Sequence, residues 1–209
     1  MNGVFEASCG QACKLARMQS ICPSWKVRLL TLPIIIAVAA WFFVKPVRVI
    51  LPEAAGVSCL SASVCVDDAA RFREANELYA EGLAFVTPLL ESIHGRPRVI
   101  FCASRACADS FGLGARSAVT LATFGTVIGP GAWKPYYVRH ELIHYLQAER
   151  LGTLGLLFKP EWFVEGMAYG LSQDPRAPLA EPFESHRRRF LAWHAALVKQ
   201  TVWQAAEGL

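Results

Sequence analysis

Apolar residues recur at mostly helical spacing through residues 69–92, where Phe72, Ala75, Leu78, Leu83 and Phe85 stand among charged positions. That period predicts an amphipathic helix that ends or kinks near Pro88. Residues 97–104, PRVIFCAS, are a short apolar run of strand length and read as a buried strand, and SRACADSFG after them suggests a small helix with Gly112 near its end. Over residues 117–129 the chain is rich in Val, Thr, Leu, Ile and Phe and is broken at Gly125. This predicts two short strands or a hairpin, closed by Gly129-Pro130-Gly131. Residues 136–150 form the next helical pattern, with Gly152 as its stop. Pro160 then opens a helix through EWFVEGMAYGLSQ. Phe190, Leu191, Trp193, Leu197 and Trp203, set around three arginines, make residues 184–206 a closing amphipathic helix. No internal repeat or low-complexity tract interrupts this order.

One stretch fits none of these periods. Residues 29–44, LLTLPIIIAVAAWFFV, carry no charge, with Lys26 and Arg28 before them and Lys45 and Arg48 after. Sixteen helical residues reach about 24 Å, and snorkelling flanks with the apolar VRVIL beyond complete a span of roughly 30 Å. A single transmembrane helix is the expectation, and it accounts for a hydrophobic content of 54%. The formal net charge of +4 belongs to the same end of the chain. Residues 1–50 hold six Lys and Arg against Glu6 alone, while the remainder is close to neutral, so nucleic acid is excluded as the expected partner.

Lys14, Arg17, Lys26 and Arg28 precede the apolar stretch and only Lys45 and Arg48 follow it closely, which orients the N-terminus to the cytoplasm and exports the C-terminal domain. A cleaved signal peptide is the competing reading, since Ala37-Val38-Ala39 fits a small-x-small site. The long basic lead and the continuation of the apolar run through Trp41-Phe42-Phe43-Val44 favour an anchor; translation from Met18 would shorten that lead. The expected organisation is a cytoplasmic segment at 1–28, an anchor at 29–50, a Pro/Gly/Ser-rich linker at 51–68 and a globular domain at 69–209. Membrane lipid is the partner of the anchor. Cys59, Cys65, Cys102 and Cys107 lie in the exported part, which suits two disulfides with three possible pairings, the neighbour pairs being the simplest.

The chemistry is concentrated in RHELIHY, residues 139–145. His140 and His144, at i and i+4, lie one turn apart on the same helix face, so both imidazoles can reach one metal ion. Glu141 projects about 100° away around the axis, beside the metal, where a general base can take a proton from a metal-activated water. A catalytic zinc needs a third protein donor. With Gln147 and Arg150 in place of the required Gly and His, the chain does not follow the metzincin pattern, and the polar surroundings disfavour an intramembrane protease. The helix that follows offers Glu161 and Glu165. Glu161, beside Pro160, suits the first-turn dipole without any metal, whereas Glu165 lies one turn deeper beside the small Gly166 and Ala168. Glu165 is the preferred ligand.

HELIH at 140–144, followed after twenty residues by Glu165 within WFVEGMAYG, resembles the gluzincin peptidases and is similar to the W-x-x-E-G-x-A signature of their aminopeptidase branch. The resemblance covers residues 97–172 and implies a Zn2+ held by His140, His144 and Glu165, with Glu141 activating the water. The fold class it implies is α+β: a zincin-like domain with a small mixed sheet and active-site helices, preceded here by one N-terminal transmembrane helix. An extended peptide or protein substrate would join the sheet as another strand, and GTVIG at 125–129 is the expected edge. The upstream G-x-M-E-N segment of the aminopeptidases has no counterpart, which points to an endopeptidase. No tyrosine follows Tyr169, so His186, His194, Tyr169 and Arg139 are the candidates for oxyanion or substrate contacts, with the arginines at 187–189 behind them. The alternative is a tethered zinc-binding scaffold that has lost turnover.

Overall fold

The computed structural model describes residues 44–209 together with positions 32–34, 36, 39 and 41; most of the apolar stretch 29–44 of the expected anchor therefore lies outside the described residues. Among the described residues no helix is long and apolar enough to cross a membrane. The domain is α+β, built on a small mixed sheet of five strands in the order β1-β2-β3-β5-β4. These are β1 (Ser58–Cys59), β2 (Val64–Val66), β3 (Val99–Phe101), β4 (Ala118–Leu121) and β5 (Gly125–Ile128). β2, β3 and β5 run parallel to one another, and the outer strands β1 and β4 are antiparallel to their neighbours.

Both faces of the three central strands are buried, which explains why they read as continuous apolar runs rather than alternating ones. Val64, Val66, Val99, Phe101 and Ile128 point into the larger core, while Cys65, Ile100 and Val127 point into a smaller one. The larger core is closed by α1 (Phe72–Leu90), α3 (Pro135–Leu151), α5 (Glu161–Leu171), α6 (Phe183–Ala195) and the C-terminal α7 (Val202–Glu207); α4 (Thr153–Leu156) is the short turn between α3 and α5. The smaller core is closed by α2 (Arg105–Ser110) and the segment before β1.

Two glycines set the helix spacing that positions the site. At Gly82 an added Cβ would lie 2.8 Å from Leu142 Cδ1, so the glycine is what lets α1 approach α3. At Gly166 an added Cβ would overlap the His186 carbonyl and come within 2.8 Å of Phe190 Cβ, which fixes α5 against α6.

Several expectations change. Residues 51–68 are not a linker: Val64–Val66 is an internal strand with every residue buried, and Cys59 pairs in register with Cys65 across the β1–β2 hairpin. The Gly, Ser and Ala around so short a strand mask its apolar signal. Residues 45–50 form a 3-10 turn against the domain, with Val49 buried in the smaller core. Arg48 Nη1 donates to the Ser110 carbonyl at 2.8 Å and Arg98 Nη1 to that of Ile50 at 3.1 Å. The globular part thus starts before residue 51. Of the hairpin's two strands it is β4, not the GTVIG strand, that lies at an edge of the sheet, because β5 is hydrogen-bonded on both sides, to β3 and to β4. The closing helix is two helices, since Thr201 starts α7 with a capping box to Gln204. Both disulfides form between sequence neighbours, Cys59–Cys65 and Cys102–Cys107.

Candidate metal centre

α3 supplies most of the site. Pro135 begins it and Gly152, at φ +73°, ends it, so His140 and His144 fall in its middle turns with Glu141 between them. The two Nε2 atoms are 3.0 Å apart. Glu165, carried in by α5, places Oε2 3.8 Å from His140 Nε2 and Oε1 3.6 Å from His144 Nε2. All three donor atoms lie within 4.8 Å of one another. Donors bound tetrahedrally at ~2.0–2.1 Å from one ion would be about 3.3 Å apart. The observed separations of 3.0, 3.6 and 3.8 Å, the last two to different carboxylate oxygens of Glu165, lie near that value, so the group could hold a metal ion. Glu161 is exposed in the first turn of α5 and takes no part.

His144 is fixed by a residue that no local motif assigns to the site. Gln147 is completely buried; its Oε1 accepts from His144 Nδ1 at 2.9 Å and its Nε2 donates to the Val164 carbonyl at 3.0 Å. With its proton held on Nδ1, His144 turns the lone pair of Nε2 toward His140 and Glu165. Burial, reinforced by His144 and then Arg176, pushes His140 well below the usual imidazole range, so its ring is neutral and available as a donor.

Glu141 is also buried, and Thr120 on β4 holds it: Thr120 Oγ1 is 2.7 Å from Oε2 and 3.0 Å from the Glu141 carbonyl, with Thr126 Oγ1 behind it at 2.8 Å. Burial raises the Glu141 carboxyl above its ordinary range, against the opposing effects of His144 and the Thr120 hydrogen bond. This arrangement is an acceptor-ready carboxylate beside a set of two nitrogens and one oxygen, and it can do acid–base work on a polarised water.

The cleft in front of the site has a volume of about 420 Å³ and runs along β4. Tyr169 lines it, its ring centroid 4.4 Å from that of His140, and burial followed by the Glu165 charge pushes its phenol up to about 12. The other three candidates for substrate contacts lie elsewhere. Arg139 pairs with Glu81, lies over the Phe85 ring at 3.9 Å and reaches the Ser172 carbonyl. His194 stacks on Phe190 at 5.4 Å and faces a separate groove. His186 presents its carbonyl to Gly166, and its Nδ1 is buried with no hydrogen-bond partner among the described residues. Arg116, Asp174 and Arg176 do line the cleft, and no local periodicity identifies them, because they come from loops. Compared with known proteins, the chain matches no family model, and no curated protein and no solved structure resembles it significantly.

Proposed function

We propose that the chain is a membrane-anchored, zinc-dependent peptidase of gluzincin type that cleaves within peptide chains. The observation that carries this reading is the placement of Glu141, a buried carboxylate next to His140 whose Oε2 is held by Thr120 in the cleft shared with Glu165 and both histidines. A purely structural zinc site closes around four protein donors and has no use for such a carboxylate. When bound, the ion supplies Lewis acidity that activates water and polarises a carbonyl. Glu141 takes the proton of the attacking water and returns it to the amine nitrogen as the C–N bond breaks. The outer edge of β4 offers an extended peptide a strand position across the cleft.

Membrane attachment rests on the uncharged residues 29–44 and their basic flanks, with the domain outside the cytoplasm. The two disulfides suit an oxidising compartment. The test uses the full chain purified in detergent. Mass spectrometry is expected to find one zinc per chain in the wild type and in Glu141→Gln, and much less in Glu165→Ala, while a peptide pool is cut only by the wild type. Hydrolysis retained by Glu141→Gln, or no stoichiometric metal in any of the three, refutes the reading.

A further inference from the structure

Two guanidinium groups line the cleft, and they differ in what neutralises them. Arg176 is matched to Asp174, whose side chain is almost fully buried, through Nε at 2.9 and 3.1 Å. Its Nη1 donates to Tyr137 Oη at 3.0 Å, and the rings of Tyr137 and Tyr136 flank it at 4.9 and 5.3 Å. Arg116 is held differently. Its Nε and Nη2 donate to the carbonyls of Leu113 and Gly112 at 3.3 and 3.1 Å, contacts that orient the head without cancelling its charge. Among the described residues Arg116 forms no salt bridge.

The cleft contains three carboxylates, Glu141, Glu165 and Asp174. Asp174 is matched to Arg176, Arg116 acts on Glu141 only through space, and a divalent ion held by His140, His144 and Glu165 would balance the other two carboxylates, which would leave Arg116 as the cation in excess. From the rim of a cleft with low-dielectric walls, such a charge favours an anionic ligand group. We infer that the cleft selects peptides bearing a carboxylate, which pairs with Arg116. The inference rests on the peptidase reading and gives it a substrate class. Arg116 stands two positions before β4 and lines the same cleft, so a peptide lying along that strand would carry its acid toward the strand's N-terminal end. The carboxylate can be an acidic side chain or the free C-terminus of a short peptide.

The test compares an end-blocked peptide with one Glu, its twin with Gln, and the Gln peptide with a free C-terminus. Affinity is measured on the full-length zinc-loaded Glu141→Gln protein, and cleavage on the wild type. Since Arg116 is exposed, the Glu peptide is expected to bind about fivefold more tightly than its Gln twin. Adding Arg116→Ala should bring that ratio close to one, and Arg116→Lys should keep part of it. A preference confined to the free C-terminus assigns the pairing to that carboxylate instead of a side chain. No preference before substitution for either the Glu peptide or the free C-terminus, a preference insensitive to Arg116→Ala, or no binding at all overturns the inference. Cleavage that depends on Glu141 without any acid preference leaves the peptidase reading standing. Failure to cut any peptide ends that reading, and the affinity ratio then still decides whether Arg116 recognises a carboxylate.

Discussion

Gln147 ties His144 to the backbone of α5: one end of its amide accepts from His144 Nδ1 at 2.9 Å and the other donates to Val164 O at 3.0 Å, one residue before Glu165. Two of the three residues that could hold a metal ion are therefore registered to each other through one buried amide. Gln147→Leu keeps the bulk and removes both bonds, leaving His144 Nδ1 unpaired and the Val164 carbonyl with only its helical bond. Metal affinity should fall about 10- to 100-fold, read by competition with a chromophoric chelator. Stability should drop by about 1–3 kcal/mol in denaturant unfolding of the metal-free protein.

Thr120 performs a comparable task for Glu141, without touching the metal donors. Thr120→Val removes the hydroxyl at similar volume, and on the peptidase proposal the turnover number should fall about tenfold with zinc content and KM little altered. Thr120→Ser, which restores the hydroxyl, should recover most of it. Equal turnover in the Val variant would mean that Glu141 is oriented by its burial alone.

The crossing of α5 over α6 depends on Gly166. Because a Cβ there meets backbone at His186 and Cβ at Phe190, Gly166→Ala should cost about 1–3 kcal/mol and lower Tm measurably. At Gly170 an added Cβ would meet only the side chains of Leu191 and Phe190, at 3.2 Å, so Gly170→Ala should be milder. A reversed order would show that α6 shifts freely along α5.

Asp67, immediately after β2, links the sheet to the start of α2: its carboxylate accepts from Ala103 N at 2.6 Å, Ser104 N at 3.0 Å and Ser104 Oγ at 2.6 Å. Burial acts to raise its pKa, but the hydrogen bonds from Ser104 and Ala103 together prevail and hold it below the usual carboxylate value. A depressed folded-state pKa contributes stability that is complete above the unfolded value of about 3.9 and is lost as pH falls through the folded one. The Tm gap between wild type and Asp67→Ala should thus be constant from neutral pH to about 5 and close below about pH 4. A gap independent of pH would assign the effect to packing.

The chain's local chemistry determined which residues share a helix face, because a period of about 3.6 residues needs no distant partner to place His140 and His144 together with Glu141 beside them. Local signals also sufficed for the limits of α3, for the β4–β5 hairpin around Gly125 and for disulfides between close neighbours. Only tertiary structure decided the rest. Glu165 meets the histidines and Glu161 does not, because the Gly166 contact with α6 sets how α5 lies. β4 rather than β5 is the edge, because β3 takes the inner side of β5. Gln147 and Thr120 gained their roles from partners brought in by folding, 17 residues away for the bond to Val164 and 21 for Thr120 and Glu141. Side-chain direction follows from backbone geometry within a few residues, whereas contacts across the chain depend on how whole elements pack, and no local period encodes that.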